Sequence, residues 1–196
     1  MRKINQMFQD SFREFKSTKT LCVLGMLGAL SIVFYMISSQ FDFGLQLTLD
    51  PLCNIMASCL FGPAAGAIFG GAMDLLNFVI NPRGPLCIGL TFNAVLSGIF
   101  MGTFLYKKKI TIPRVFLVCL INDVVINAVL GTFWLALMYG KNSLTAWIIT
   151  WFPSRLSKNL VMPVFEALVI VAVYKALEKG GLISLLRQPL GHKRKS

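Results

Sequence analysis

Between residues 20 and 178 the chain alternates long apolar runs with short polar breaks. The stretches 20–41, 51–73 and 84–106 each exceed 20 residues without an Asp, Glu, Lys or Arg. A helix needs roughly 20 apolar residues to cross about 30 Å of hydrocarbon, so each run is long enough for a membrane span. Two further runs, 114–140 and 157–178, each enclose an interior acid, Asp123 and Glu166. The stretch 50–81 is too long for one span and is interrupted by Gly62-Pro63, a pair that halts a helix and restarts it. The pattern therefore predicts six helices, at about 20–38, 47–61, 64–80, 87–106, 113–139 and 154–178. The second is the shortest, with Asp50 and Pro51 as its N-cap and first-turn residue.

Composition agrees with that division. Of the 196 residues 56% are hydrophobic and 14% charged, whereas about a quarter of a soluble domain is charged. A water-soluble globule is excluded, and the expected fold class is an all-α, polytopic six-transmembrane-helix bundle. The expected organisation is a cytoplasmic amphipathic segment at 1–19, a transmembrane domain at 20–178 and a basic tail at 179–196. The polar, charged start of the chain and the lack of a small-residue cleavage site argue for a retained segment instead of a signal peptide. Ile4, Met7, Phe8, Phe12 and Phe15 at helical spacing suit a helix lying on the membrane surface or docking on a cytoplasmic partner.

The net charge of +11, from 19 Lys and Arg against 8 Asp and Glu, would suit nucleic acid or an anionic membrane. Its placement decides between them. Six crossings put on one side Arg2, Lys3, Arg13, Lys16, Lys19, Lys107, Lys108, Lys109, Arg114, Lys175, Lys179, Arg187, Lys193, Arg194 and Lys195, which is 15 of the 19. Arg83, Lys141, Arg155 and Lys158 remain on the other. The positive-inside rule then places both termini in the cytoplasm, and the lipid bilayer, not nucleic acid, explains the charge.

Polar groups inside spans are costly and face a cavity or one another. Asp74, Asn77 and Asn81 follow i, i+3, i+7 on the third helix, and Asn93 and Ser97 are i, i+4 on the fourth. Asp123, Asn127 and Trp134 share a face of the fifth; Arg155, Asn159, Met162 and Glu166 share one on the sixth, with Lys158 beside it. Pro163 frees the Asn159 carbonyl from its helical bond. With Arg83, Arg155 and Lys158 on the outer side, these faces describe a basic-mouthed cavity open to the exterior. For each group a plainer role is available: snorkelling for the cations, interhelical hydrogen bonds for the acids, a belt position for Trp134.

Other chemistry is thin. Cys22, Cys53, Cys59, Cys87 and Cys119 have no CxxC pair and no nearby His, so they read as packing residues, and neither a metal nor a cofactor is expected. His192 belongs to the basic tail. The glycines Gly62, Gly66 and Gly70, spaced by four, suit close helix packing better than a phosphate loop, because no GxxxxGK[ST] stretch exists.

The segment Phe61-Gly-Pro-Ala-Ala-Gly-Ala-Ile-Phe-Gly-Gly-Ala-Met-Asp74-Leu-Leu, followed by Asn81-Pro-Arg-Gly-Pro and Gly89-Leu-Thr-Phe-Asn-Ala, resembles the S components of energy-coupling factor (ECF) transporters. Leu130-Gly-Thr-Phe-Trp-Leu-Ala-Leu-Met-Tyr-Gly140 and Arg155-Leu-Ser-Lys-Asn-Leu-Val-Met-Pro163 are similar to the folate-specific branch. Leu86-Cys-Ile stands where the family often has an aromatic-rich segment, Asn93 where it often has serine, and Gly131 where a polar residue is common. The resemblance implies a six-helix subunit, not itself an enzyme, that captures folate from outside and topples to release it inside. It also implies as partners two cytoplasmic ATPases and a membrane coupling protein, the latter docked on small residues of the first helix, here Gly25 and Ala29. The expected substrate residues are Arg155, Lys158, Asn159, Trp134, Asn93, Arg83, Asp74, Asn127 and Glu166. Folate is flat, hydrogen-bonding at its pterin and dianionic at its glutamate end, which suits amides and Trp134 inside with cations at the mouth. Competing readings are an S component for riboflavin, a queuosine precursor or pantothenate, a proton-driven transporter using Asp74 or Glu166, and a small membrane enzyme.

Overall fold

In a computed structural model the described residues are 8–9, 11–12, 15, 17–40, 50–80, 87–106, 108, 110–139 and 144–180. Among them every regular element is helical: α1 (Thr18–Gln40), α2 (Asp50–Phe61), α3 (Pro63–Ile80), α4 (Ile88–Leu105), α5 (112–139) and α6 (Leu144–Lys179). Five stretches are long and apolar enough to cross a membrane; α2, at 12 residues, is shorter, extending about 18 Å at 1.5 Å per residue. The protein is thus a helical membrane protein, and its outer surface fits that setting. Met26, Val33, Val79, Phe92, Leu117 and Val161 are among many large apolar side chains that face outward.

The short helix is the most enclosed. Leu52, Cys53 and every residue from Ile55 to Phe61 are buried, and α1, α3, α4 and α6 all pack on α2. The chain reverses out of it at Gly62, whose φ of +89° is open to glycine at little cost. Pro63 then begins α3, where its missing N–H removes no helical bond. The same turn receives the N-terminal segment. Ser11, fully buried, donates from Oγ to the Phe61 carbonyl at 2.6 Å and accepts from the Ala64 and Ala65 N–H groups at 3.2 and 3.3 Å. Those two N–H groups lie in the first turn of α3, where a helix has no internal acceptor, so a residue some fifty positions away caps it. Phe15 packs on the same core while Phe12 is 53% exposed. The described part of the N-terminal segment is therefore docked on the bundle, which the apolar spacing alone did not distinguish from a surface helix.

The closest pair is α3 with α4, which meet backbone to backbone. A methyl group added at Gly98 would lie 2.7 Å from the Ala67 nitrogen, and one at Gly70 the same distance from the Ala94 carbonyl oxygen. The four-residue glycine spacing thus marks a seam, as small residues do between membrane helices.

Three expectations are corrected. The sixth helix starts at Leu144, ten residues before the expected boundary, and runs through Pro153 as well as Pro163. Proline forfeits one helical bond; at Pro163, inside the apolar stretch Asn159–Lys179, leaving the helix would strand several backbone groups at once. The fifth is not α-helical throughout: Ile112–Ile121 and Gly131–Tyr139 flank nine π-helical residues, Asn122–Leu130. Of the cysteines, Cys53, Cys59 and Cys119 are buried, but Cys22 is exposed on α1 and packs in no core. The expected start of the second helix at 47 and the tail at 181–196 lie outside the described residues.

Candidate functional site

A cavity of ≈ 130 Å³ opens among the first five helices. Ser31 of α1 and Pro51, Asn54 and Ile55 of α2 form one side. Phe69, Gly70, Met73 and Asp74 of α3 with Ala94 and Ser97 of α4 form a second, and Asn122 and Asn127 of the π-helical stretch close it. The glycine seam shapes this space: a methyl at Gly70 would approach the Asn54 amide nitrogen to 2.9 Å. Without side chains at the seam, α3 and α4 stay close and the room between α2 and α5 remains open.

The cavity is apolar on the faces of Ile55, Phe69 and Met73 and polar around them. Asp74 accepts a hydrogen bond from Thr91 Oγ1 at 2.6 Å. The Asp123 carboxylate, behind the wall, accepts from Asn127 Nδ2 at 2.8 Å and Asn122 Nδ2 at 3.3 Å. That leaves amide oxygens pointing elsewhere. Asn54 Oδ1 and Asn122 Oδ1 are buried and have no hydrogen-bond partner among the described residues. A buried acceptor left unmet costs about 1–3 kcal/mol, and both residues line the cavity.

The expected site residues separate into groups. Asp74 and Asn127 line the cavity, as does Ser97. Asn93 and Asn159 do not; each donates to a carbonyl of the π-helical stretch, Asn93 Nδ2 to Ile126 at 3.2 Å and Asn159 Nδ2 to Asp123 at 3.1 Å. Glu166, 2% exposed, bonds the Cys119 thiol and faces Asp123 across the α5–α6 contact. Trp134 lies against Gly89, with Phe133 edge-on at 5.7 Å between ring centres, and its buried Nε1 has no partner among the described residues. Asn77 is buried in α3. Arg155 and Lys158 lie on α6, but their side chains, like Arg83 and Asn81 entirely, are outside the described residues. Gly25 and Ala29 sit on an exposed face of α1, and a methyl at Gly25 would meet nothing within 4 Å.

Sequence reasoning missed Ser31, Asn54, Thr91 and Asn122. Asn54 carried a usable signal as the one amide of α2. Asn122 was hidden by the assumption of an α-helical period, which pairs residues three and four apart and so selected Asp123 with Asn127.

An apolar helical bundle enclosing a partly polar cavity defines a membrane-embedded protein with room for a small molecule, and among the described residues no group of His, Cys, Asp and Glu could hold a metal. The family described as "ECF transporter, substrate-specific component" matches residues 19–186, and the chain belongs to it. It is similar to the folate transporter FolT of Clostridium novyi (strain NT), with 32% identity over 124 residues, 63% of this chain and 69% of that protein. A crystal structure of FolT bound with folic acid superposes with a TM-score of 0.66 at 29% identity, covering 82% of this chain and 95% of the other.

Proposed function

We propose that the protein is the folate-binding S component of an ECF importer. The observation that carries the reading is the cavity with its two unpartnered amide oxygens, in a fold shared with a folate-bound FolT. A pterin ring offers N–H donors on a flat edge, and Phe69 and Met73 give it apolar faces. Asp74 and Asn127 add acceptor and amide groups within reach of the same space. Arg83, Arg155 and Lys158 are assigned to the glutamate carboxylates at the mouth. Trp134 near that mouth, and Asn93, Asn159 and Glu166 around the cavity wall, complete the residues on which affinity depends.

The membrane arrangement belongs to the same proposal. Six crossings with both termini in the cytoplasm follow the distribution of cations, and one contact supports it. Ser11, Gly62 and Tyr106 meet at one end of the bundle, and Tyr106 directly precedes the three consecutive lysines of the sequence. At that cytoplasmic end a membrane coupling protein and two ATPases supply energy, and toppling of the S component releases folate inside. The exposed Gly25 and Ala29 face is the docking surface for the coupling protein.

Calorimetry on the purified protein tests the reading. Saturable folate binding at one site without ATP is expected. No folate binding, with riboflavin or pantothenate bound instead, would overturn the substrate and keep the class. Proton-driven folate accumulation by vesicles containing this chain alone would overturn the S-component role.

A further inference from the structure

Nine consecutive π-helical residues are unusual. Such geometry falls well under 1% of residues and occurs mostly as single-turn bulges. Here the stretch Asn122–Leu130 interrupts an otherwise α-helical α5, so something must hold it. Two amides from neighbouring helices do. Asn93 of α4 donates to the Ile126 carbonyl and Asn159 of α6 to the Asp123 carbonyl, at 3.2 and 3.1 Å. Both acceptors belong to the π-helical stretch, and both donors come from outside it.

The wider turn has a geometric effect on the cavity. In an α-helix residues five apart point about 140° away from each other. In a π-helix the i→i+5 bond stacks them on successive turns. Asn122 and Asn127 are five apart, and both line the cavity. Both also donate to one Asp123 carboxylate oxygen, which fixes their amide nitrogens and leaves Asn122 Oδ1 unpartnered among the described residues. With α geometry, only one of them would face the ligand.

We infer that Asn93 and Asn159 are positioning residues that hold the π-helical turn of α5 and thereby present Asn122 and Asn127 together to the bound ligand. They set affinity and selectivity through the shape of α5, without touching the ligand.

The full-length protein in detergent micelles provides two readouts. Hydrogen exchange of peptides spanning 122–130 needs no ligand: Asn93→Leu and Asn159→Leu should each accelerate it, while peptides from α2 and α3 stay as in the parent. Folate titration rests on the proposed function: each variant should bind about tenfold more weakly, the loss of one neutral hydrogen bond. In an Asn122→Ala/Asn127→Ala background the added loss should vanish, because a positioning residue has nothing left to position. Asn159→Gln, which keeps the donor, should recover most of the affinity and covers the case in which a leucine variant fails to fold. Unchanged exchange in 122–130 for both leucine variants overturns the inference. So does a loss of affinity that persists undiminished in the double-alanine background, which would mean direct contact. If the parent binds no folate, the folate reading fails and the exchange result alone decides the role of Asn93 and Asn159.

Discussion

Ser11→Ala removes a single oxygen, and three hydrogen bonds end on it. The site has no solvent access at that side chain, so water cannot stand in. Losing the cap of a helix costs about 1 kcal/mol, and leaving a buried backbone group unmet adds about 1–3 kcal/mol. The bonds at 3.2 and 3.3 Å are longer than the 2.6 Å bond to Phe61 and contribute less, which places the total near 2–3 kcal/mol. For a chain of this length that lowers Tm by roughly 5–10 °C. A thiol-reactive fluorescent dye reads the transition, because Cys53, Cys59 and Cys119 are buried until the bundle opens, while Cys22 supplies a constant background. Removing a surface helix that merely rests on lipid would leave Tm alone. A shift of less than about 1 °C for Ser11→Ala would therefore refute the capping role.

Other outcomes are as definite. Asn54→Leu should raise the stability of the ligand-free protein by about 1 kcal/mol, since it removes an unmet buried acceptor, and should abolish folate binding; thermal shift and calorimetry on one preparation show both. Gly98→Leu should fail to fold or lose at least 10 °C in Tm, roughly 3 kcal/mol, because its side chain would enter the backbone of α3; a normal melting curve would disprove the seam. Arg155→Ala and Lys158→Ala should each weaken folate binding with unchanged Tm, and raised ionic strength should weaken the parent in the same direction; calorimetry at two salt concentrations checks this. Gly25→Trp and Ala29→Trp should leave folate affinity intact and reduce co-purification with the coupling protein.

What could be read from the sequence depended on which regularity each feature obeys. Long apolar runs located α1, α3, α4 and α5 to within a few residues, because hydrocarbon thickness fixes their length. The start of α6 escaped because Pro153 resembles a breaker, yet the helix begins at Leu144 and runs through it. Asp74 and Asn127 were found as costly polar groups; Asn122 was not, since its place at the cavity depends on a helical period that two distant amides impose. Ser11 lay beyond reach for a similar reason. Its polarity is ordinary in a charged segment, and its value appears only when the turn at Gly62 is brought to it.

The seam between α3 and α4 divides the cavity walls into two kinds of material. With Gly66, Gly70 and Gly98 at the seam, the spacing of α3 and α4 has almost no side-chain thickness to vary, and a change of one methyl displaces a whole helix. The wall opposite is held by side-chain amides that can be exchanged one at a time. Relatives that take differently shaped ligands would then keep the glycine wall as a fixed datum and diversify α5 and its two amide props, so that a substitution at position 93 or 159 redraws the pocket from a distance.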